Sequence, residues 1–287
     1  MVNLDILRER ARIVRSIRRF FDEQGFLEVE TAVRIPAPAP EEHIDCPPVE
    51  GGGYLRASPE LQMKKLLAAG LDKIYQIGPC FRAGERGARH NPEFTMIEWY
   101  RRNADYRAIR DDLERLLRRL FAAPDERSMV FSTLSVRDAY RRFAGWDPWT
   151  EWDQDRFDVD MATKIEPALA GPGGVFLTDY PPQAASLARL ASGDGGVAYA
   201  ERWEFYCCGM ELANCFTELC DRDEQARRFR RAKAARGVLG EADYPIDEEF
   251  LDCLPQIESA AGVALGVDRL VMVLTGQSRI SSVRAEI

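Results

Sequence analysis

A long hairpin over residues 73–100 constrains the fold more than any other feature. Lys73–Phe81 and Phe94–Tyr100 are rich in β-branched and aromatic residues, which favours strands, and the polar segment Gly84–Pro92 separates them. Adjacent strands joined by a loop pair antiparallel. The hairpin therefore commits part of the chain to an antiparallel sheet.

Helices precede and follow this hairpin. Apolar residues recur every three or four positions over residues 4–24 and 105–121, which predicts two amphipathic helices. Asn3 can cap the first helix, and Gly25 ends it. Ser58-Pro59-Glu60 can open another helix that ends before Gly70, since Ser favours the cap and Pro the first turn. A capping box at 221–224 predicts a further helix to about residue 236.

The other segments complete a mixed pattern. Residues 35–53 predict a loop, and residues 124–175 predict helical pieces with turns. Further strands are predicted at Phe26–Val33, Val175–Tyr180, Ala198–Tyr206, Met210–Leu219 and Val263–Gly266, the last running into a helix at Val267–Thr275. No linker interrupts them. The sequence thus predicts an α+β fold, a mainly antiparallel sheet flanked by helices, as one domain over residues 1–287.

Composition excludes several classes of protein. No apolar run approaches the roughly 18 residues of a membrane helix, and the N-terminal stretch is Arg-rich rather than apolar, so we expect no membrane span and no secretory signal. The chain is expected to be cytoplasmic. A net charge of −8 argues against a broad nucleic-acid surface. Seven cysteines without a Cys-x-x-Cys, beside two histidines, favour reduced thiols over a zinc site.

The hairpin carries the first candidate site. Only five of the 39 cationic residues are lysines, so a phosphate is expected to meet guanidinium groups. Arg82 lies at a strand end, where it can bind a phosphate, and Phe94 offers a flat face to a base. Glu98 and Tyr100 lie two positions apart and share one face. The alternative is an ordinary hairpin with Phe94 in the core, and periodicity alone favours it.

Carboxylates on neighbouring predicted strands form the second candidate site. Glu204 lies on one strand, and Glu211, Asn214 and Glu218 lie on the next. Facing carboxylates repel unless a cation lies between them, and oxygen ligands of this kind suit Mg²⁺. A solvated acidic face explains the spacing equally well.

The third candidate site is the strand-to-helix junction Gly262–Leu270. Gly266 permits close approach of a ligand to the backbone, and Arg269 lies in the first helical turn, where an anion is favoured. One glycine and one arginine are weak evidence by themselves.

Together, the three sites resemble the signature motifs of class II aminoacyl-tRNA synthetases of the lysyl type. Residues 6–35 resemble motif 1, residues 78–100 motif 2 and residues 262–275 motif 3. The segments RHNPEFTMIEWY and GVALGVDRLVM carry the resemblance most specifically. Motif 1 begins within the first ten residues, so no anticodon-binding domain is expected. The whole chain therefore resembles the stand-alone paralogues, the elongation factor P lysyltransferases.

This resemblance implies a reaction and its participants. The family activates lysine, preferably (R)-β-lysine, with ATP and transfers it to a lysine of elongation factor P. ATP and Mg²⁺ are the implied cofactors. A homodimer is expected, and tRNA binding is not.

The resemblance also implies residue roles. Arg82 and Arg269 would be catalytic. Arg82 would hold the α-phosphate and the substrate carboxylate, and Arg269 would hold the γ-phosphate. The implied ATP-binding set is Arg82, Glu85, Asn91, Glu93, Phe94, Glu211, Leu212, Gly266 and Arg269. The implied substrate-binding set is Ser58, Pro59, Glu60, Glu98, Tyr100, Asn214, Glu218 and Ala264. The implied Mg²⁺ ligands are Glu204 and Glu211.

Several positions depart from the family pattern. Ala264 replaces a typical glycine, which would reshape the pocket floor and suits the displaced amino group of β-lysine. Ala32 replaces the motif 1 proline, and this change affects the dimer contact that the resemblance implies. Gly84 occupies the position where the family has the acidic residue that contacts ATP, so this role would fall to Glu85, one position later. Cys215 and Thr217 replace a common Gly and a common His or Ser beside the substrate.

Two alternatives remain open. One is a truncated lysyl-tRNA synthetase-like enzyme with another acceptor. The other is a non-catalytic regulatory paralogue, although such proteins tend to lose the charged ligands that this chain keeps.

Overall fold

The computed structural model describes residues 3–121, 129–171 and 173–285. These residues form two compact units. The first contains residues up to 103, 219–260 and those from 264 onward, and the second contains residues 104–218 and 261–263. The chain divides into these two units, and the single domain over residues 1–287 stays a prediction.

The described helices follow the predicted ones closely and add several short ones. They are α1 Leu4–Glu23, α2 Glu60–Ala68, α3 Tyr106–Phe121, α4 Val136–Ala139, α5 Gln154–Asp160, α6 Glu166–Ala168, α7 Arg222–Leu239, α8 Glu248–Cys253 and α9 Val267–Thr275. π-helical turns follow α4 at Tyr140–Ala144 and α5 at Met161–Ile165. Single 3₁₀ turns lie at Pro182–Ala184, Asp194–Gly196, Leu254–Gln256 and Ile280–Val283.

The described strands are mostly antiparallel. They are β1 Leu27–Glu28, β2 Arg34–Ile35, β3 Tyr54–Leu55, β4 Lys73–Phe81, β5 Glu93–Arg102, β6 Phe131–Ser135, β7 Gly174–Tyr180, β8 Leu190–Ser192, β9 Ala198–Cys207, β10 Met210–Thr217 and β11 Ala260–Gly266. Within the two units, β1 with β4 and β6 with β7 pair parallel, whereas β2 with β3, β4 with β5, β7 with β9, β8 with β9 and β9 with β10 pair antiparallel. The α+β prediction is confirmed.

In the first unit, helix α1 packs on the predicted hairpin. Strands β4 and β5 pair antiparallel over their whole length, from Lys73 opposite Arg101 to Phe81 opposite Glu93. The fully buried ring of Phe21 stacks on Tyr75 of β4, with 4.8 Å between ring centroids, and contacts Trp99 of β5 at 5.1 Å. Burying such rings is worth a few kcal/mol each. This packing fixes the strand pair that carries the first candidate site.

Helix α1 begins at the predicted cap. The Asn3 side-chain oxygen accepts hydrogen bonds from the backbone N–H groups of Asp5, at 3.1 Å, and Ile6, at 3.3 Å. We expect Asn3→Ala to lower the free energy of unfolding by about 1 kcal/mol, because these amides then lose their acceptor. Urea denaturation measures the change. Asn3→Asp keeps an acceptor and should stay close to the parent, and equal losses in both variants would contradict the capping role.

The predicted strand at 26–33 was wrong beyond β1. After β1, side chains rather than a neighbouring strand form hydrogen bonds with the backbone. Gln76 Oε1 accepts from the backbone N–H of Thr31 at 3.0 Å, and the buried guanidinium of Arg56 donates to the carbonyls of Thr31, at 2.9 Å, and Ala32, at 3.3 Å. Backbone groups satisfied by side chains need no neighbouring strand.

A buried arginine anchors the 41–46 segment of the first unit. Arg236, at 1% exposure, donates to the carbonyls of Glu41 and Ile44 and to the carboxylate of Asp45. The Asp45 carbonyl in turn accepts from the backbone N–H of Ala83 at 2.7 Å. The anchor therefore supports the backbone immediately after Arg82.

The second unit contains a sheet in the order β10-β9-β7-β6, with β8 paired to β9. Its core includes the stacked rings of Tyr140 and Phe157, whose centroids lie 4.6 Å apart. The prediction of helical pieces over residues 124–175 missed β6, and residues 124–128 and 172 of that range lie outside the described residues. β6 pairs parallel with β7, a long-range contact that local pattern does not reveal. No described helix is long and apolar enough to cross a membrane.

Candidate active site

Arg82 lies directly after β4, at the point where the hairpin opens. Its backbone N–H donates to the carbonyl of Pro92 at 2.9 Å. Its guanidinium lies 5.2 Å from the ring centroid of Phe94, and its Nη1 lies 3.7 Å from Oε1 of Glu85. Its Nε is buried and has no hydrogen-bond partner among the described residues. A cation held in this way has a donor available for an incoming anion.

Phe94 lies opposite Cys80 in the hairpin register and is half-buried. A core phenylalanine would be fully covered. The cation–π contact with Arg82 is worth about 1 kcal/mol and holds the ring in place. The ring keeps part of its surface accessible, as a stacking platform for a base requires.

Arg269 lies in the first turn of α9 and contacts the predicted polar loop. Its Nη2 lies 2.6 Å from Nε2 of His90, and its Nε donates to the carbonyl of Arg89 at 3.3 Å. Burial lowers the pKa of His90, and the charges of Arg269, Arg82 and Arg89 lower it further. The imidazole is therefore neutral at pH 7, and its Nε2 accepts from Arg269. His90 escaped the sequence analysis as a site residue, although it stands inside the quoted motif.

Gly266 caps α9 with φ −70° and ψ 104°, which any residue can adopt. The need for glycine here is thus not conformational, and its role in close ligand approach stays a prediction. Ala264 lies two positions earlier on β11 and is half-buried.

An ionic network lies next to Phe94 and Arg269, and the sequence did not point to its centre. Asp268 is 2% exposed and forms an ion pair with Arg10 at 2.6 Å. It accepts hydrogen bonds from Arg284, at 3.1 Å, and from the backbone N–H of Thr95, at 2.8 Å. Arg284 also pairs with Glu93 at 3.2 Å. The network joins α1, β5 and α9, and the Asn91 side chain donates to the Glu93 carbonyl at 2.7 Å.

A buried carboxylate pocket lies further along β5. Glu98 is 1% exposed and accepts from the Ser58 hydroxyl at 2.5 Å and from the Tyr100 hydroxyl at 2.9 Å. Ser58 also accepts from the backbone N–H of Glu60 at 2.9 Å, which fixes the start of α2 after Pro59. The Glu60 carboxylate pairs with the buried Lys64 ammonium at 2.6 Å.

Burial and, next, the negative charge of Glu60 together raise the pKa of Glu98 to about 7, against the two hydroxyl donors and the ammonium of Lys64. A carboxylic acid with this pKa is partly protonated near neutrality. An ammonium group entering the pocket would favour its ionised form. The pocket is therefore suited to a cationic side chain or amine.

The second unit holds the predicted carboxylates of β9 and β10. Glu204 accepts from Arg202 and from the Tyr206 hydroxyl, each at 2.6 Å. Arg202 also donates to the Asn214 side chain at 3.2 Å. Asn214 lies opposite Glu204, and Glu211 lies opposite Tyr206, with a bulge at Leu212 between them. The bulge places Glu211 and Asn214 on the face of Glu204 although they are three positions apart.

The carboxylates that this face offers as candidate Mg²⁺ ligands are those of Glu204 and Glu211. Within the described residues, no group of three or more His, Cys, Asp or Glu side chains could hold a metal ion. Mg²⁺ commonly takes only one or two protein carboxylates and completes its shell with water and substrate phosphates. Glu204 and Glu211 fit that shared type of site.

The remaining predicted residues of β10 lie deeper. Glu218 follows the strand, is 2% exposed and forms a bridge with Ala188. Burial raises the pKa of the Cys215 thiol well above its ordinary value, as expected for an inert core thiol. The Thr217 hydroxyl accepts from the backbone N–H of Tyr106 at 2.9 Å. Thr217 thus caps the start of α3, a role that the motif comparison did not suggest.

Comparison with known proteins matches the sequence of the chain over nearly its whole length. A family model described as tRNA synthetases class II (D, K and N) matches residues 2–285. The chain is 38% identical to "Elongation factor P--(R)-beta-lysine ligase" of Proteus mirabilis over 97% of its length and 94% of that protein's. Proteins of the same name from Photorhabdus laumondii and Vibrio cholerae are 38% and 36% identical, with the same coverage.

Proposed function

The chain belongs to the class II tRNA synthetase family (D, K and N), and from this premise we propose that it activates lysine or (R)-β-lysine with ATP and transfers it to a lysine of elongation factor P. The family uses ATP, and the matched relatives are named as ligases of this kind. Mg²⁺, a homodimer, a cytoplasmic location and a protein rather than a tRNA acceptor belong to the same proposal.

One observation carries the proposal. Phe94, Glu98 and Tyr100 are spaced by even numbers along β5 and so share one face. That face presents an aromatic–guanidinium pair at one end and a buried carboxylate pocket at the other, about 13 Å apart along the strand. An aminoacyl-adenylate has a base and phosphate at one end and a cationic amino acid at the other, so its chemistry matches both ends in order.

The residues of this face have separate roles in the activation step, which the transfer step follows. In activation, the lysine carboxylate attacks the α-phosphorus, the new C–O–P bond forms and pyrophosphate leaves. Arg82 neutralises the two anions that must meet, and its available Nε donor can follow the charge as it develops. Glu98 and Glu60 accept from the ammonium groups. In transfer, an acceptor amine attacks the carbonyl and AMP leaves, so no covalent enzyme intermediate is required.

The face of β9 and β10 completes the assignment. By family resemblance, Glu204 and Glu211 would hold Mg²⁺, which supplies charge neutralisation to the phosphates when bound. Arg202 holds Glu204 and Asn214 in fixed orientations, within 3.2 Å of each. It is a positioning residue that the sequence analysis missed.

Intact-mass measurement of elongation factor P tests the proposal. After incubation with the protein, ATP and (R)-β-lysine, the factor should gain one lysyl residue, and omission of ATP should prevent the gain. An unshifted mass with every lysine isomer would refute the proposal. ATP–pyrophosphate exchange without acceptor separates the alternatives: exchange with tRNA charging indicates a different acceptor, and absent exchange indicates a non-catalytic paralogue.

The half-buried Ala264 gives a prediction on specificity. Ala264→Gly removes one methyl from the proposed pocket floor and should shift the preference from β-lysine towards α-lysine by about 10-fold, the usual value of one methyl group in a pocket. The ratio of kcat/KM for the two isomers in pyrophosphate exchange measures the shift. Leu265→Val, a change in the adjacent buried residue, is the control, and an unchanged ratio in Ala264→Gly would exclude the role.

A further inference from the structure

The turn between β9 and β10 contains two adjacent cysteines in an unusual conformation. Cys208 and Gly209 are its central residues, with φ of +52° and +69°. Two positive φ values are the mark of a type I′ hairpin turn, which favours Asn, Asp or Gly at both positions. A Cβ-bearing residue with φ in this region costs about 1–2 kcal/mol. The cysteine at position 208 is therefore not explained by the turn.

The two thiols are close and differ in environment. The Sγ atoms of Cys207 and Cys208 lie 3.8 Å apart. Cys207 is 2% exposed, at the end of β9, where it pairs with Gly174 and Met210, whereas Cys208 is exposed. Cysteines that react with peroxides are solvent-accessible and often lie next to a second, resolving cysteine.

We propose that Cys207 and Cys208 form a reversible vicinal disulfide in the presence of a hydroperoxide, and that this bond lowers the rate of adenylate formation. The Cys208 thiolate attacks the peroxide oxygen and becomes a sulfenic acid, releasing water. The Cys207 sulfur then attacks the Cys208 sulfur, and the displaced hydroxide takes the Cys207 proton as a second water. Two thiols and one hydrogen peroxide thus give one disulfide and two waters.

Ring geometry makes the bond reversible. Cα atoms of adjacent residues lie about 3.8 Å apart across a trans peptide, below the usual 4.4–6.8 Å of disulfides. A disulfide closed under that restraint is strained, and strained exposed disulfides are reduced readily. Burial and the neighbouring Cys208 together raise the pKa of Cys207 to about 12, so Cys208 reacts first.

The link to activity follows from the strands that the turn joins. Glu204 lies three residues before Cys207, and Glu211 lies three residues after Cys208. Closing the ring brings the sulfurs from 3.8 Å to about 2.05 Å and must twist the turn. Displacement of a positioned group by 1 Å can cost about 100-fold in rate. This consequence rests on the proposed function, whereas the disulfide itself does not.

Thiol counting decides the chemical step. The reduced full chain is treated with hydrogen peroxide, then denatured and alkylated with N-ethylmaleimide so that its buried thiols also react, and measured as intact mass and as peptides. We expect two fewer alkylated thiols, with the linked pair mapped to positions 207 and 208, and full recovery with dithiothreitol. A disulfide elsewhere, or a sulfinic acid on Cys208 with Cys207 still alkylated, would overturn the proposal.

Variants keep this test independent of folding. Cys208→Asn removes the thiol and places a residue that the turn favours, so its melting temperature should not fall below that of the parent. Cys220→Ser leaves the pair intact and should behave like the parent. Peroxide should lower the exchange rate about 10-fold or more in the parent and in Cys220→Ser, but not in Cys208→Asn. An equal response of all three, or a ring that leaves the rate unchanged, contradicts the regulatory step. A reduced enzyme without exchange activity contradicts only the proposed function.

Discussion

Arg82→Ala is expected to lower the kcat of ATP–pyrophosphate exchange by about 1,000-fold, equivalent to about 4 kcal/mol of transition-state stabilisation. The guanidinium is the one proposed to lie between the two reacting anions, and its buried Nε has no hydrogen-bond partner among the described residues. Arg82→Lys keeps the charge but loses the planar fork, so an intermediate loss is expected. Exchange measured at saturating ATP and lysine gives kcat directly.

The exposed Arg86 of the same loop is the matched control. Arg86→Ala removes an equal charge and should retain exchange within a few-fold of the parent. The side chain of Arg82 contributes to the fold a cation–π contact of about 1 kcal/mol and a part-exposed ion pair with Glu85 at 3.7 Å, which adds little. Arg82→Ala should therefore remain folded by circular dichroism. A folded Arg82→Ala enzyme with exchange within 10-fold of the parent would rule out the assigned role.

Glu98→Gln is expected to raise the KM for lysine by about 100-fold. A desolvated ammonium loses a charged acceptor in this variant, and a hydrogen bond to a charged group is worth up to about 3 kcal/mol. The amide keeps the shape of the pocket, so kcat should change less than KM. Exchange rates measured over a range of lysine concentrations separate the two constants.

The same substitution should change how stability depends on pH. The pKa of Glu98 in the folded chain is about 7, above the value of about 4.3 for a solvated Glu. A raised folded pKa contributes stability that is fully present below the unfolded pKa and is lost as pH rises through the folded pKa. The parent should therefore lose about 4 kcal/mol between about pH 4 and 7. Glu98→Gln should lack this loss and exceed the parent in stability above pH 7.

Urea unfolding at several pH values gives the comparison. Glu50→Gln changes an exposed carboxylate of the 35–53 loop and should follow the parent curve. Parallel curves for the parent and Glu98→Gln would show that Glu98 ionises normally. Higher stability with weaker substrate binding is the combination expected when a binding pocket keeps a carboxylate out of water.

Local pattern predicted the elements whose signals are local. Helix α1 was predicted from its apolar spacing and begins at the predicted Asn3 cap. Strands β4 and β5 differ from prediction only at the ends of β5. The strand at 26–33 failed because the distant Gln76 and Arg56 satisfy its backbone. β6 was missed because its pairing with β7 lies about 40 residues away.

The candidate site divides in the same way. Motif resemblance supplied Arg82, Phe94, Glu98 and Arg269, because these residue types have fixed spacing. It did not supply Asp268 as the centre of an ionic network, nor Arg202 as the partner of Glu204 and Asn214. Such supporting residues act through contacts between distant segments, and one sequence carries no record of those distances. The available signal was a charged residue near a predicted site residue, since Asp268 precedes Arg269 and Arg202 lies two positions before Glu204.

The anchor at Arg236 has a consequence for synthesis on the ribosome. Residues 104–218 separate the two main parts of the first unit, and at about 5–20 residues per second their translation takes roughly 6–23 s. During that interval Asp45 and the backbone after Arg82 have emerged without the buried guanidinium that holds them. The second unit is complete in sequence, except for three residues, before the first unit can close. During this part of synthesis, the hairpin that carries Arg82 is therefore exposed without the contacts that Arg236 later provides.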